Sequence, residues 1–278
     1  MNLQVLVAAM NQKDFSLIKK MNIQSDAIFA NQADEYRYDE TCADGNRIQL
    51  ITTALRGVSK NRNTALMYAD ADIVLFSDDD MVYNDGYAEE IIKAFESIPN
   101  ADALIFNIDT IKNGKKTDVG RRYNTTVKKV GFLNCMNYGT CRLAVKRKCI
   151  MRDNLAYNDC FGGGNIYSNG EDVIFISSLI KKKLKIYTYP YTIGAVQQDT
   201  STWFTGYNEK YLYDKGALFK ALSRKFANPI CIQMLVRHKE MYKDAGLSFN
   251  KAYKIMKKGM SGYKKLISYD EAKKQGIL

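Results

Sequence analysis

The sequence predicts an α/β fold, a mostly parallel sheet covered by helices. Three observations carry that expectation. Short continuous apolar runs such as Leu3–Ala9 and Ile73–Phe76 have the length of buried strands. Segments such as Tyr87–Phe95 and Glu171–Lys181 read as helices, the latter with apolar contacts from Val173, Phe175, Ile176, Leu179 and Ile180. The two kinds of segment alternate along the chain, which is how a parallel sheet with crossover helices is written.

The elements follow in order. Leu3–Ala9 opens as a strand, and Ala27–Ala30 is a second, ending at the polar Asn31-Gln32-Ala33-Asp34. Ile48–Leu55 leads to Arg56-Gly57-Val58-Ser59, where the Ser59 hydroxyl is placed to cap a helix running through Asn63 to Ala69. Asp72–Ser77 is the clearest buried strand, and it runs straight into Asp78-Asp79-Asp80. Tyr87–Phe95 is then helix and Ala103–Asn107 strand; Leu143–Lys148 reads as a further strand. Phe161-Gly162-Gly163-Gly164 reads as a flexible loop, either an ordinary turn or a lid. Glu171–Lys181 is a helix with an acidic first turn and a Lys-rich end, which suits its dipole. Leu184–Tyr189 is the last strand, and from Tyr211 the chain is helical and basic, with a soft boundary near Gly206.

Composition narrows the chemistry. The 278 residues are 46% hydrophobic and 26% charged, an ordinary globular balance. No basic leader precedes Leu3, and no apolar run reaches the length of a membrane span, so a cytoplasmic protein is expected. The six cysteines form no C-x-x-C pair and are expected to be buried, reduced thiols. With His238 as the single histidine, a two-His zinc site is excluded and a Ser-His-Asp triad is disfavoured. Any metal is then held by carboxylate oxygens, which favours Mg²⁺ or Mn²⁺. The net charge is +11, and Lys251–Leu278 alone carries eight lysines against Asp270 and Glu271. That tail reads either as a solvated helix face or as a surface for anionic lipid.

Three constellations bear on function. Adjacent carboxylates repel, so Asp78-Asp79-Asp80 at a strand end is either a cation site able to bridge a diphosphate or an acidic surface turn. Asn169-Gly170-Glu171-Asp172 is either a favourable helix N-terminus or a general base held in a cleft. Ser59-Lys60-Asn61-Arg62-Asn63 is either a surface helix or a phosphate-facing one.

In this order the three resemble the family-2 glycosyltransferases, inverting enzymes of the GT-A fold, over roughly Leu3 to Phe204. The resemblance implies that Asp78, Asp79 and Asp80 stand for the family's Asp-x-Asp motif, holding a divalent metal, Mn²⁺ or Mg²⁺, and touching the donor. Ser77 stands where the family commonly has the first acid. It implies that Asp172 is the catalytic base and that Glu171 places the acceptor. Asn11, Asn31, Gln32, Asp34, Ser59 and Arg62 are implied on the donor side, although the family's acidic base-reading loop is here Asn31-Gln32-Ala33-Asp34. Gln197–Trp203 stands where relatives carry a histidine. Trp203 is either core or a platform for the acceptor sugar.

The expected organisation is a catalytic domain over residues 1–206 followed by a basic helical region over residues 207–278. The expected partners are a nucleotide-sugar donor, UDP-linked as first choice, and a glycan or lipid-linked glycan acceptor in surface-polysaccharide synthesis. Peripheral attachment to an anionic membrane face is expected from the tail, and no nucleic acid. The rivals are a metal-dependent nucleotidyltransferase or nuclease, and a basic nucleic-acid-binding module, which leaves the ordered acids without a purpose.

Overall fold

The computed structural model describes residues 1–117, 123–132, 134–197 and 206–278. Among them ten strands form one sheet. In chain order they are β1 (Leu3–Met10), β2 (Asp26–Gln32), β3 (Arg37–Ala43), β4 (Asn46–Thr53), β5 (Ile73–Asp78), β6 (Met81–Tyr83), β7 (Ala103–Lys112), β8 (Lys115–Lys116), β9 (Leu143–Lys146) and β10 (Ile186–Gln197). The helices are α1 (Leu17–Lys20), α2 (Val58–Tyr68), α3 (Tyr87–Ser97), α4 (Arg147–Asp153), α5 (Glu171–Lys181), α6 (Glu209–Leu222), α7 (Ala227–Arg237), α8 (Glu240–Lys243), α9 (Phe249–Lys265) and α10 (Tyr269–Lys274).

The sheet order is β3-β4-β2-β1-β5-β9-β7-β10-β6, with β8 on β7. β4, β2, β1 and β5 run parallel, and β10 runs parallel to β7. β9 lies antiparallel between β5 and β7, which restores the common direction beyond it. The sheet is thus mostly parallel, as expected, and both faces are covered. Leu3, Val5, Val7 and Ala9 of β1 join the layer with α1 and α3, while Leu6 joins the layer with α2, α4 and α5. Burial on both faces is why the inner strands are continuously apolar.

The described residues divide into two compact units. The first comprises Met1–Arg56, Lys60–Tyr157 and Phe175–Ser201, and holds the sheet. The second comprises Gly57–Ser59, Asn158–Ile174 and Thr202–Leu278, with its own core of helical residues around Phe161, Tyr167 and Tyr213. There α6 and α9 pack backbone to backbone. A Cβ on Gly216 would stand 2.0 Å from the Met256 carbonyl oxygen, and one on Gly259 2.0 Å from that of Tyr213. Tyr167 and Tyr213 both donate to the Ile267 carbonyl, at 3.2 and 3.0 Å.

Several boundaries differ from expectation. β9 stops at Lys146 because Arg147 and Lys148 open α4. The last strand starts at Ile186 and runs on to Gln197, since it pairs with β7 from end to end and takes β6 on its other edge over Gly194–Val196. α2 begins at Val58, so Ser59 lies inside the helix rather than capping it, and its hydroxyl donates to the Phe161 carbonyl at 2.6 Å. Phe161 is fully buried, so the glycine run starts from a core anchor. Cys42 is exposed on β3, against the expectation that the thiols are buried. Among the described residues no helix is long and apolar enough to cross a membrane.

Candidate functional site

In the first unit most of the expected donor-side residues gather at the carboxyl ends of adjacent parallel strands; Ser59 instead belongs to the second unit, where it holds the Phe161 carbonyl. Asp78 pairs in register with Ala8, and Met10 with Gln32, so the ends of β5, β1 and β2 share one sheet edge. Open α/β sheets bind ligands at this edge, where chain direction and helix termini leave a crevice. Asp79 and Asp80 form the turn between β5 and β6. The Gln197 backbone N–H donates to the Asp80 carbonyl at 2.9 Å, which ties that turn to β10.

Arg62 reaches this edge from α2. Its guanidinium is buried and meets the Asp78 carboxylate at 2.7 Å. It also lies 5.3 Å from the ring centre of Tyr157, which stacks on Phe175 at 4.1 Å and meets Phe76 edge-on. A planar cation between a carboxylate and an aromatic face is a well-held one. Its neighbours hold it in place. Asn61 donates to the Ala9 carbonyl at 2.8 Å, and Asn63 both donates to and accepts from the Tyr157 backbone, at 3.0 and 2.8 Å. The Asn-Arg-Asn run is therefore a brace between α2, β1, β5 and Tyr157.

Arg62 pairs with Asp78, and the Lys20 charge acts on Asp79. Burial, and then the charge of Asp78, push the Asp79 carboxyl above the usual carboxylate range; the Met10 backbone hydrogen bond and the Lys20 charge work the other way. Among the described residues no group of three or more His, Cys, Asp or Glu side chains is arranged to hold a metal ion. Asp78, Asp79 and Asp80 thus make no carboxylate cage by themselves.

The Asn31 side chain is fully buried and clasps the end of β1. It accepts from the Gln12 N–H at 2.9 Å and donates to the Gln12 carbonyl and to Thr52, at 2.9 and 3.0 Å. Both amide protons are spent on the protein, so Asn31 shapes the Met10–Gln12 corner. Asn11 there adopts a left-handed backbone, φ 54°, and its N–H donates to the Gln32 carbonyl at 3.0 Å. Asp34 is exposed and pairs with Arg56.

The second unit contains Glu171 and Asp172, both half-buried in the first turn of α5. The loop before them is gripped by α6. Asp214, fully buried, accepts from the Ser168 N–H at 3.1 Å, the Ser168 hydroxyl at 2.6 Å and the Lys210 ammonium at 2.6 Å. Gly170 has φ +110°, and a Cβ there would stand 2.7 Å from Leu218. Burial pushes the Lys215 ammonium below the usual lysine range, while Glu171 and Asp214 draw it back up. Gly162 also lies under this turn, with space for a Cβ closed by Val58 and Glu171. The Glu171-Asp172 turn is thus held from both sides within its unit. Trp203, with 198–205, lies outside the described residues.

Sequence reasoning placed Asn61 and Asn63 within the Ser59–Asn63 run but not as braces, and it missed Tyr157, Ser168, Lys210 and Asp214. Polar residues inside an otherwise helical run were the available signal for Asn61 and Asn63. Asp214 carried none, since its partner Ser168 is 46 residues away.

The model of glycosyl transferase family 2 matches residues 28–151, which run from β2 through the Arg62–Asp78 pair to α4. No curated protein sequence matches the chain significantly. Among solved structures, S. aureus TarS 1–349 in complex with UDP-GlcNAc aligns with a TM-score of 0.62 at 13% identity, over 95% of this chain and 81% of that one. The same S. aureus fragment in complex with UDP gives a TM-score of 0.59 at 12% identity, over 95% and 83%. At such identity the likeness is one of fold. Residues 28–151 form a glycosyl transferase family 2 segment in a GT-A-like fold, and the chain that carries it is a glycosyltransferase.

Proposed function

We propose that the chain transfers a sugar, with inversion, from a UDP-sugar to a hydroxyl of a surface-glycan acceptor. The observation that carries this reading is the Arg62–Asp78 pair with Asp79 at the shared edge of β1, β2 and β5, inside the family 2 segment. That edge suits the nucleotide diphosphate, with Arg62 holding Asp78 in place and the Met10–Gln12 corner, Gln32 and Asp34 flanking the base. The UDP and UDP-GlcNAc complexes of TarS support a uridine donor.

The acids fit a divalent metal. Asp78 and Asp79 offer hard oxygens, and Asp79 stays raised by burial and by its neighbour's charge, which the Lys20 charge and the Met10 backbone hydrogen bond only partly offset. Mg²⁺ commonly uses one or two carboxylates plus substrate phosphates, so a full protein cage is not required. When bound, such an ion offsets charge on the leaving diphosphate as a Lewis acid. Asp172 takes the proton from the acceptor hydroxyl. The freed oxygen forms a bond to the anomeric carbon as the bond to the diphosphate oxygen breaks, and UDP leaves with that electron pair. Glu171 orients the acceptor.

The basic C-terminal helices support attachment at the cytoplasmic membrane face, where each lysine near anionic lipid adds about 1 kcal/mol. Turnover of a nucleotide-sugar panel tests the function directly. Asp172→Asn should keep UDP binding while transfer falls roughly 10²–10⁴-fold, the scale of a positioned base. Near-normal transfer by that variant removes the base assignment and the inverting mechanism with it. Absence of turnover with every donor removes the UDP-sugar reading.

A further inference from the structure

The first unit has a second cleft, walled by the 123–138 segment and Thr188 of β10 rather than lying at the end of β5. It has a volume of about 170 Å³. That is below the roughly 300–1,000 Å³ of drug-sized sites and suits one small ring. β10 stands three strands from β5, so the cleft's strand lies roughly 14 Å from the aspartate strand at about 4.8 Å per step.

Its lining is chemically uniform. Tyr123 and Tyr138 supply aromatic surface, Asn124 and Asn134 amides, and three threonines hydroxyls; among the described lining residues Lys128 is the one cation. Among the described lining residues there is no carboxylate and no aliphatic side chain. A divalent cation or a cationic ligand is therefore unsuited, and so is an acyl chain. Hydroxyls and amides beside aromatic rings match a pyranose, whose edge is hydroxyl and whose face is C–H.

The cleft is built before anything binds. Buried Asn107 clasps the Asn124 backbone, accepting at 2.7 Å and donating at 3.0 Å. Buried Thr188 accepts from the Lys128 N–H at 3.0 Å and donates to the Thr126 carbonyl at 2.9 Å. The Tyr123 hydroxyl is bound to Asp109, and Lys116 sits 5.4 Å from its ring centre, so the ring is a fixed platform. Other groups are unspent. Among the described residues the Asn134 amide N–H₂, the Thr125 and Thr126 side-chain hydroxyls and the Lys128 ammonium have no partner. Such pre-ordered walls with unspent donors lower the entropic cost of holding a sugar.

We propose that this cleft is a saccharide subsite that grips the acceptor glycan away from the bond being formed, neutral or acidic units being favoured by Lys128. It rests on the sugar-transfer reading above. The test is saturation-transfer difference NMR on the full chain with methyl glycosides of neutral, N-acetylated and uronic sugars. Tyr123→Ala and Lys128→Ala are the variants, since both side chains are exposed. At least one glycoside class should bind, and one or both variants should weaken it tenfold or more with UDP affinity unchanged. Binding by no class, or binding untouched by both variants, overturns the proposal. UDP-sugar hydrolysis without acceptor is measured on the same preparation. Hydrolysis with no glycoside bound sinks the subsite alone. Variant-sensitive binding without hydrolysis sinks the transfer reading and leaves the subsite standing.

Discussion

Replacing Asp214 with asparagine probes whether α6 sets the Glu171-Asp172 turn. In the structure Ser168 N–H, Ser168 hydroxyl and Lys210 ammonium converge on Asp214 Oδ2, and Oδ1 is buried without a hydrogen-bond partner. Hydrogen bonds to a charged group contribute about 1.5–3 kcal/mol, and neutral ones about half as much. In Asp214→Asn the two Ser168 bonds survive as neutral bonds, at a loss of about 1 kcal/mol each. The Lys210 pair adds only about 0.5–1 kcal/mol, because that ammonium is 36% exposed and water takes up most of its charge. The new amide group displaces an oxygen that already lacks a partner, which costs about 1 kcal/mol more. The sum is about 3–4 kcal/mol, or a melting temperature lower by roughly 6–16 °C for a chain of this size. Loosening the turn displaces Asp172, so kcat should fall about 10–100-fold, as sub-ångström to 1 Å misplacements do. UDP affinity should not move, since Arg62, Asp78, Asp79 and the Met10–Gln12 corner lie in the first unit. Calorimetric melting, UDP titration and a transfer assay on one preparation read all three. Ser168→Ala, which removes the hydroxyl bond alone, should show about half or more of the stability loss, since that bond to a charged group contributes about 1.5–3 kcal/mol. Melting within about 2 °C of wild type, with normal transfer, would refute the reasoning, because no buried charge could then be holding that loop.

Donor turnover should require Mn²⁺ or Mg²⁺ and collapse in Asp79→Ala with folding retained; full activity in excess EDTA would remove the metal. Gly216→Ala and Gly259→Ala should each destabilise by about 1–3 kcal/mol or more, since each Cβ meets a backbone carbonyl at 2.0 Å. Gly131→Ala, with nothing within 4 Å, is the neutral control, and equal melting of all three would contradict the close α6–α9 crossing. A thiol reagent near pH 8 should label exposed Cys42 first. Burial pushes the Cys149 and Cys231 thiols up to about 11 and about 12, which keeps them protonated until the chain unfolds. Labelling of Cys231 as fast as Cys42 would contradict that packing.

By itself the sequence determined the elements whose environment is local or uniform. β1, β2, β5 and β7 were legible because a strand buried on both faces must be apolar throughout, whatever lies against it. The aspartates sit at a sheet edge because the apolar run of β5 ends there, and the acidic turn of α5 is where helix termini favour acids. β3 escaped the same reading. Its residues are polar or half-exposed in alternation, and its signal was the Asp44-Gly45 pair, whose positive φ angles, 50° and 82°, make the tight turn into β4. Tertiary structure alone decided the rest. It reversed β9 between two parallel strands, turned Ser59 from a cap into a donor to Phe161, and spent the Asn31 amide inside the protein. It also joined Arg62 to Asp78 across 16 residues and Asp214 to Ser168 across 46. Periodicity reports whether a side chain is buried, because burial acts on each position separately. A buried polar contact depends on which distant residue the fold brings within about 3 Å, and no local pattern records that partner.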